Sequence, residues 1–371
     1  MSFPYRLAEL TVEWLNELFF EKGWLGAARI TTFDATPLSG QGGTSLVYVL
    51  RFTYDHSAER APEKAIAKFS SDVEMVRQAL RDYRLYEREI EFYARFGSDP
   101  GIPTPQCYAA SHDAKENRCF LLLEYIEHSH MRDMHDGSPA DVELAIRYLS
   151  AFHAKWWERK KDLEGVESEN APDLLELRIQ KVKRAFQKVG EKFRADFGEI
   201  SFAIVELWLA HANTLAEYAR RRPLTMCHGS FHRGQILFPD SVKESFYVID
   251  WQSVSVDSGA IDLSRIIVSG LLPDQRRAHE ERFVDLYYRG LLAGGVTNYS
   301  LEDLWNDYRL GIINLIIFHT QIFADYDVAI VSRHWKGKDS FWDALFHWPG
   351  NAASDGGAVD WLRKTVAALP L

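Results

Sequence analysis

The polar residues best placed to do chemistry lie in one stretch, Cys227–Trp251, which reads CHGSFHRGQILFPDSVKESFYVIDW. Two short apolar runs, Gln235–Phe238 and Phe246–Ile249, flank turn-prone residues, and this pattern predicts a hairpin. The polar side chains at its two ends are those of His228, Ser230, His232, Gln235 and Asp250. They offer ring nitrogens and a hydroxyl for proton handling, and amide and carboxylate oxygens of the kind that bind hard cations. This stretch is the predicted centre of the chemistry.

The residues upstream predict an antiparallel sheet with one Gly-rich turn. In SGQGGTSLVYVL, Gly42 and Gly43 precede an alternating strand, and backbone N–H groups in such a turn can approach phosphate oxygens without interference from Cβ. An ordinary hairpin turn explains the same letters equally well. Lys68 lies on a later strand, where it would by itself be taken for a solvated edge residue. Helical periodicity over residues 74–96 puts Glu89 where it could meet Lys68.

A change of pattern near Tyr125–His128 predicts two lobes. Strands and one helix occupy residues 1–126, whereas residues 127–371 are almost wholly helical apart from the central hairpin. Asp262 is predicted to be the N-cap of one of these helices. The predicted fold class is therefore α+β, with an N-terminal antiparallel sheet plus helix and a larger, mostly helical C-terminal lobe.

The bulk composition excludes several classes of protein. Lys and Arg number 43 against 53 Asp and Glu, and a net charge of −10 argues against a nucleic-acid partner. No run of residues approaches the length of a membrane span, so no membrane association is expected. The three cysteines, Cys107, Cys119 and Cys227, are far apart and odd in number, which is typical of reduced thiols. A cytoplasmic protein is expected.

The order of these features resembles a known family. A Gly-rich turn, Lys68, Glu89, a Pro-rich loop, HGSFHRGQILF and VIDWQ follow one another across nearly the whole chain. This is similar to the aminoglycoside phosphotransferase and choline-kinase-like family, whose fold is protein-kinase-like and bilobal, and especially to its ecdysteroid-kinase-like branch. The resemblance implies a kinase that uses ATP and Mg²⁺ to phosphorylate a small-molecule hydroxyl. Residues 1–126 would bind the nucleotide, and residues 127–371 would hold the catalytic groups and the acceptor.

The resemblance also implies a role for particular residues. Lys68 would contact the phosphates below the turn of Gly42 and Gly43, and Glu89 would orient Lys68. Glu124 to Ile126 would be the hinge whose backbone meets the adenine.

Further roles are implied near the hairpin. Asp250 would be a ligand of Mg²⁺, and Asp262 would brace the catalytic loop.

Two positions of the catalytic loop depart from the family pattern H-x-D-x-x-x-x-N. Gln235 stands in place of Asn and offers the same amide oxygen on a longer side chain, so metal binding can survive. Ser230 stands in place of the catalytic Asp, and a hydroxyl of normal acidity cannot accept the substrate proton at neutral pH. His232 could act as a substitute base, although a structural loop residue is the plainer interpretation.

Two hypotheses follow. The first is an ATP-dependent phosphotransferase with an atypical catalytic loop, acting on a hydroxyl of a small molecule, a natural product or a peptide. The second is a pseudokinase, a nucleotide-binding or scaffolding subunit that works through a protein partner, because Ser230 removes the usual base. Loss of the base alone does not exclude catalysis, since phosphoryl transfer has a loose transition state and relies chiefly on positioning and charge stabilisation.

Overall fold

The structure, a computed structural model, describes residues 2–38, 44–132, 137–189, 194–240, 246–325 and 341–368. The chain divides into two compact units, Met1–Ser129 and His130–Leu371. Among the described residues, no helix is both long enough and apolar enough to cross a bilayer.

The first unit is built on a five-stranded antiparallel sheet. Its strands are β1 (Ile30–Pro37), β2 (Ser45–Tyr54), β3 (Lys64–Ser70), β4 (Cys107–Asp113) and β5 (Arg118–Glu124). Across the sheet they run β1-β2-β3-β5-β4, so β3 has a hydrogen-bonded neighbour on each side. Ala65, Ala67 and Phe69 of β3 are fully buried in one apolar core. Because side chains alternate along a strand, Lys68 points to the opposite face of the sheet.

Three helices accompany this sheet. The first, α1 (Val12–Glu21), begins where Thr11 Oγ1 accepts a hydrogen bond from the backbone N–H of Trp14 at 3.1 Å, so Thr11 is its N-cap. It packs against β1. The others are α2 (Glu74–Arg81) and α3 (Leu85–Arg95). Helix α3 packs against β4 and β5 and so carries Glu89 to the sheet.

The single helix predicted over residues 74–96 is wrong, because α2 and α3 are separate. Between them Arg84 adopts a left-handed conformation with φ of 53°, which ends one helix and starts the next. The side chain of Arg84 contacts two acidic residues of α3, Glu87 at 2.7 Å and Glu91 at 3.6 Å. Apolar periodicity continues on both sides of the break, and for that reason the pattern alone does not reveal it.

The second unit is mostly helical, as predicted. Its helices are α4 (Pro139–Trp156), α5 (Pro172–Val189), α6 (Arg194–Phe197), α7 (Glu199–Arg220), α8 (Ala260–Gly270), α9 (Pro273–Ala293), α10 (Leu301–Asp325), α11 (Trp348–Asp355) and α12 (Ala358–Ala368). A two-residue strand β6 (Ser129–His130) stands at the junction with the first unit, and the other short strands are β7 (Thr225–Cys227), β8 (Ile236–Pro239), β9 (Tyr247–Val248) and β10 (Ser255–Asp257). The antiparallel pair β8 and β9 is the predicted hairpin. The predicted α+β class is confirmed.

Helix α8 forms the centre of the second unit. It packs against α4, α9, α10 and α11, and ten of its eleven residues are buried. The crossing with α10 depends on Gly311, because a Cβ at this position would lie 2.4 Å from Ser264 Oγ and 2.7 Å from the carbonyl oxygen of Ala260. Close packing of α8 fixes the direction in which its polar residues point.

Candidate functional site

In the first unit, Lys68 and Glu89 form a buried ion pair. Lys68 Nζ lies 2.7 Å from Glu89 Oε2 and 2.9 Å from Oε1, and the two residues are only 8% and 1% exposed. The predicted contact between the β3 lysine and the α3 glutamate is confirmed. Two charges are thereby held in a fixed geometry where solvent screening is weak.

A tyrosine ties α3 to the residue before β2 and to the residue after β3. The hydroxyl of Tyr86 accepts a hydrogen bond from the backbone N–H of Ser71 at 3.0 Å and donates to the carbonyl oxygen of Thr44. Gly42 and Gly43, the predicted phosphate-binding glycines, lie outside the described residues. Thr44, next to them, is thus connected to the helix that carries the ion-pair glutamate.

The predicted hinge residues follow the end of β5. The backbone N–H of Glu124 donates to the carbonyl oxygen of Gln106 at 2.8 Å, and its carboxylate accepts from the N–H of Gln106 at 3.1 Å. The N–H of Ile126, by contrast, makes no hydrogen bond to any described residue. Of these two N–H groups, only that of Ile126 is available to a ligand.

In the second unit, Asp262 braces the start of the predicted catalytic loop. Its two carboxylate oxygens accept backbone N–H groups, from His228 at 2.6 Å and from Gly229 at 2.9 Å. Asp262 is not the N-cap of α8, because the helix begins at Ala260 and Gly259 precedes it. Its position inside the first turn directs its side chain across to the loop rather than back to its own helix.

The glycine of the loop has a steric reason to be there. Gly229 has φ of 76°, and a Cβ on it would lie 2.1 Å from the carbonyl oxygen of Ser253. Only glycine fits both the left-handed backbone and this close approach.

Removing the Asp262 carboxylate should destabilise the protein markedly. Asp262→Ala leaves one buried and one partly buried N–H group without acceptors, at roughly 1–3 kcal/mol each, so we expect a loss of about 2–6 kcal/mol in the free energy of unfolding. Urea denaturation would measure it. A matched control is Asp285→Ala, which removes an exposed carboxylate paired with Arg289 on α9 and should change stability by less than about 1 kcal/mol. Equal effects of the two substitutions would contradict the bracing role.

His228 links this loop to the residue before Asp250. Its Nδ1 accepts the backbone N–H of Ser230 at 3.3 Å, and its Nε2 donates to the carbonyl oxygen of Ile249 at 3.0 Å. Burial lowers the pKa of His228, so the ring is neutral and its tautomer is set by these two contacts. Both nitrogens are occupied, and His228 therefore positions the loop.

The side chains of Ser230 and His232 differ in their hydrogen bonding. The Ser230 hydroxyl makes no hydrogen bond to any described residue. His232 Nδ1 accepts the backbone N–H of Gly234 at 3.1 Å, and burial together with the charge of Arg265 holds the pKa of His232 well below its usual value. The proton of a neutral His232 must then reside on Nε2, which is a donor. This arrangement weighs against His232 as a general base.

The side chains of three polar residues meet just after β9. Asp250 Oδ2 accepts from the amide nitrogens of Gln235 at 2.8 Å and Gln252 at 3.4 Å. The amide oxygen of Gln252 is buried and has no hydrogen-bond partner. A carboxylate, the Gln235 amide and this orphaned oxygen are the hard donors that suit Mg²⁺. The donor set therefore fits the cation, with Gln252 as a member that the sequence did not indicate.

Comparisons with known proteins place the chain in a family. The model of the family DUF1679, described as "Uncharacterized oxidoreductase dhs-27", matches residues 44–323. The chain belongs to the DUF1679 family. A curated relative of this DUF1679 chain, the "Uncharacterized kinase-like protein D1044.1" of Caenorhabditis elegans, is 25% identical over 233 residues. The match spans 55% of this chain and only 56% of that relative. The family label mentions an oxidoreductase, whereas this relative is described as kinase-like.

Solved structures show which fold the DUF1679 chain has. A Ralstonia eutropha protein described as an aminoglycoside phosphotransferase has a TM-score of 0.51 at 11% identity, covering 96% of this chain and 99% of its own. A choline/ethanolamine kinase family protein of Mesorhizobium loti has a TM-score of 0.50 at 14% identity, covering 90% and 94%. A microcompartment-associated aminopropanol kinase has a TM-score of 0.51 at 10% identity, covering 94% and 99%. The predicted kinase-like phosphotransferase fold is confirmed.

Two polar residues near the DUF1679 catalytic loop escaped the sequence analysis. Gln252 follows Asp250 by two positions, and its place in VIDWQ was the available signal. Arg265 lies on α8, three residues after Asp262. That spacing puts both on one side of the helix, but only burial distinguishes Arg265 from a surface arginine.

Proposed function

We propose that this protein is an ATP-dependent phosphotransferase acting on a hydroxyl of a small molecule. The observation that carries the proposal is the buried ion pair of Lys68 and Glu89. Burying two charges costs several kcal/mol in desolvation, and an apolar pair of the same size would often be at least as stable. A pair kept in spite of that cost is best explained by a task for Lys68, namely holding nucleotide phosphates while Glu89 fixes its position.

Other residues support the use of a nucleotide with Mg²⁺. The hinge from Glu124 to Ile126 would receive the adenine through the N–H of Ile126, which no described residue accepts. Gly42 and Gly43 remain predicted phosphate contacts. Asp250 and the amide oxygens of Gln235 and Gln252 would hold Mg²⁺, which supplies positive charge to the transferring phosphoryl group. Asp250 is in this proposal the main anionic ligand.

Ser230 determines how such a transfer would proceed. Its hydroxyl can accept a hydrogen bond from the acceptor but cannot remove a proton, and His232 is a neutral donor rather than a base. A positioned base contributes typically about 10²- to 10⁴-fold. Because the transition state is loose, the acceptor proton can leave late, to solvent or to the transferred phosphoryl oxygens. Slow turnover is the consequence.

The same observation favours a second candidate function. Without a base at position 230 or 232, the protein could bind a nucleotide and act through a protein partner, as a pseudokinase. Binding and turnover separate the two. Calorimetry that detects Mg-dependent ATP binding, together with no phosphate transfer to a broad panel of hydroxyl compounds, would favour the pseudokinase. We also propose a cytoplasmic location, on the ground that none of Cys107, Cys119 and Cys227 is joined in a disulfide.

Restoring the carboxylate tests whether Ser230 only slows an enzyme. In Ser230→Asp we expect turnover to rise by about 10²-fold or more, since the substituted carboxylate can take the acceptor proton. Phosphate release from ATP and transfer to the hydroxyl panel would both be measured. Ser230→Asn is the matched control, because it adds similar bulk without a base and should leave turnover low. If Ser230→Asp and Ser230→Asn have the same turnover, the loss of a base at position 230 is not what limits phosphate transfer, and the hypothesis of a weakened kinase is wrong.

A further inference from the structure

Arg265 stands beside the catalytic loop on the most buried helix of the second unit. It is one helical turn beyond Asp262, whose carboxylate holds the N–H groups of His228 and Gly229, so Arg265 is on the loop side of α8. Only 9% of Arg265 is exposed, and its guanidinium lies over the ring of Phe318 with its central carbon 4.6 Å from the ring centre. A cation is therefore held within the protein close to the residues of the proposed site.

The protein supplies no anionic partner for this cation among its described residues. Arg265 Nε is buried without a hydrogen-bond acceptor, and no described carboxylate lies within ion-pair distance of the guanidinium. The nearby charge of Asp262 acts on Arg265, but both Asp262 oxygens already accept N–H groups. Burial lowers the pKa of Arg265 to about 10, so the side chain is still charged at neutral pH. A buried charge without a partner is destabilising.

Two neutral histidines lie within the electrostatic reach of Arg265. His319 Nδ1 donates to the carbonyl oxygen of Leu345 at 2.8 Å, and burial and the Arg265 charge lower the pKa of His319 to about 3. His232 keeps its proton on Nε2, as shown by the contact of its Nδ1 with Gly234. His232 thus adds a hydrogen-bond donor, and neither histidine competes as a cation.

We propose that Arg265, assisted by the Nε2–H of His232, binds an anionic group of the acceptor, so that the acceptor is a hydroxy compound carrying a carboxylate or a phosphate. This assignment rests on the proposed function and restricts the class of acceptor to hydroxy compounds that carry an anionic group. Arginine forms two parallel hydrogen bonds with either anion, which would satisfy the Arg265 donors that no described residue accepts. The acceptor class then differs from amines, whose positive charge Arg265 would repel.

Four compounds with one three-carbon skeleton test this assignment by their charge. Glycerate carries a carboxylate, glycerol 3-phosphate carries a phosphate, glycerol is neutral and 3-amino-1,2-propanediol is a cation. Their effect on the melting temperature of the full chain would be measured without nucleotide, with sodium chloride matching the ionic strength. We expect glycerate, glycerol 3-phosphate or both to raise the melting temperature. The compound that does so shows whether the site binds a carboxylate or a phosphate. Glycerol and the amine should leave it unchanged.

Variants separate binding from general salt effects. In Arg265→Met, methionine matches the length and the apolar part of the arginine side chain but carries no charge. The apparent affinity for the anion should therefore fall at least tenfold. The melting temperature without ligand should be unchanged or higher, because the substitution removes a buried charge that has no ion-pair partner among the residues the structure describes. Arg363→Met, at a 62%-exposed side chain on α12, is the matched control and should respond like the unmodified protein. Arg265→Lys should retain weak binding, since the charge remains without the planar fork.

Several results would overturn the proposal. One is an anion effect of the same size in the unmodified protein and in Arg265→Met, and another is the lack of any anion effect in the unmodified protein. Stronger stabilisation by the amine would also overturn it, as would loss of the glycerate effect when ADP saturates the protein, which would assign the anion site to the nucleotide. Since the assay contains no ATP, its failure is independent of whether phosphate transfer occurs.

Discussion

Asp250→Asn is expected to remove Mg-dependent nucleotide binding and with it any phosphate transfer. The backbone of Asp250 is left-handed, with φ of 65° and ψ of 62°, a conformation that asparagine tolerates better than other side chains. The substitution therefore deletes the charge with little strain. We expect ATP affinity in Mg²⁺ to fall by about 10- to 100-fold and turnover by about 10²- to 10³-fold, because the main anionic ligand for the cation is lost.

Calorimetry with ATP, in Mg²⁺ and in EDTA, would measure this effect. The unmodified protein should bind ATP more tightly in Mg²⁺, whereas Asp250→Asn should bind equally in the two conditions. Asp240→Asn is the control, since Asp240 lies at the far end of the same hairpin, is half exposed and pairs with His130. If Asp250→Asn keeps the full effect of Mg²⁺ on ATP affinity, the metal site has been assigned to the wrong residues.

Breaking the Lys68–Glu89 pair from either side should be costly. Lys68→Met removes the ion-pair partner of the buried Glu89 carboxylate, and Glu89→Leu removes that of the buried Lys68 ammonium. Each substitution should lower the free energy of unfolding by about 3–5 kcal/mol. The double variant Lys68→Met/Glu89→Leu should recover most of that stability, because both charges are gone. Nucleotide affinity should remain lost in all variants without Lys68, which separates the functional effect from the structural one. Urea denaturation and ATP calorimetry on the same samples would give both quantities.

The same strand offers a control pair. Lys64 of β3 contacts Glu127 at 2.6 Å, but the side chains of the two are 18% and 52% exposed. An ion pair so near solvent is worth about 0–1 kcal/mol, so Lys64→Met should have a small effect on stability and none on ATP binding. A double variant of Lys68 and Glu89 that stays as unstable as the single ones would mean that the pair is essential to packing, and would weaken the argument for a phosphate-binding lysine.

Local sequence patterns were sufficient to predict the contact between Lys68 and Glu89. Period-2 alternation put Lys68 on the face of β3 away from the apolar core, and helical periodicity put Glu89 on the side of α3 that meets it. The same periodicity failed between α2 and α3, where the left-handed conformation of Arg84 interrupts a helix without interrupting the apolar pattern.

The contacts of Asp262 were only half predicted. Its pairing with the catalytic loop was expected from the resemblance, and the structure places it on His228 and Gly229, 34 and 33 positions away in sequence. The accompanying prediction of an N-cap was wrong, because α8 begins two residues earlier. Residue type and position are compatible with both roles, and the path of the chain decides between them.

The sequence by itself determined the two-part α+β fold, because residue type and short spacing are carried locally by the chain. The phosphoryl-handling roles of residues from Lys68 to Asp250 were implied by the resemblance and stay a prediction. Only the tertiary structure decided that His232 is a donor. It also decided that, within the described part of the chain, the Gln252 oxygen has no hydrogen-bond partner and the buried Arg265 has no carboxylate at ion-pair distance. Each of these depends on which atoms from distant segments lie within about 3–4 Å, and periodicity does not encode that.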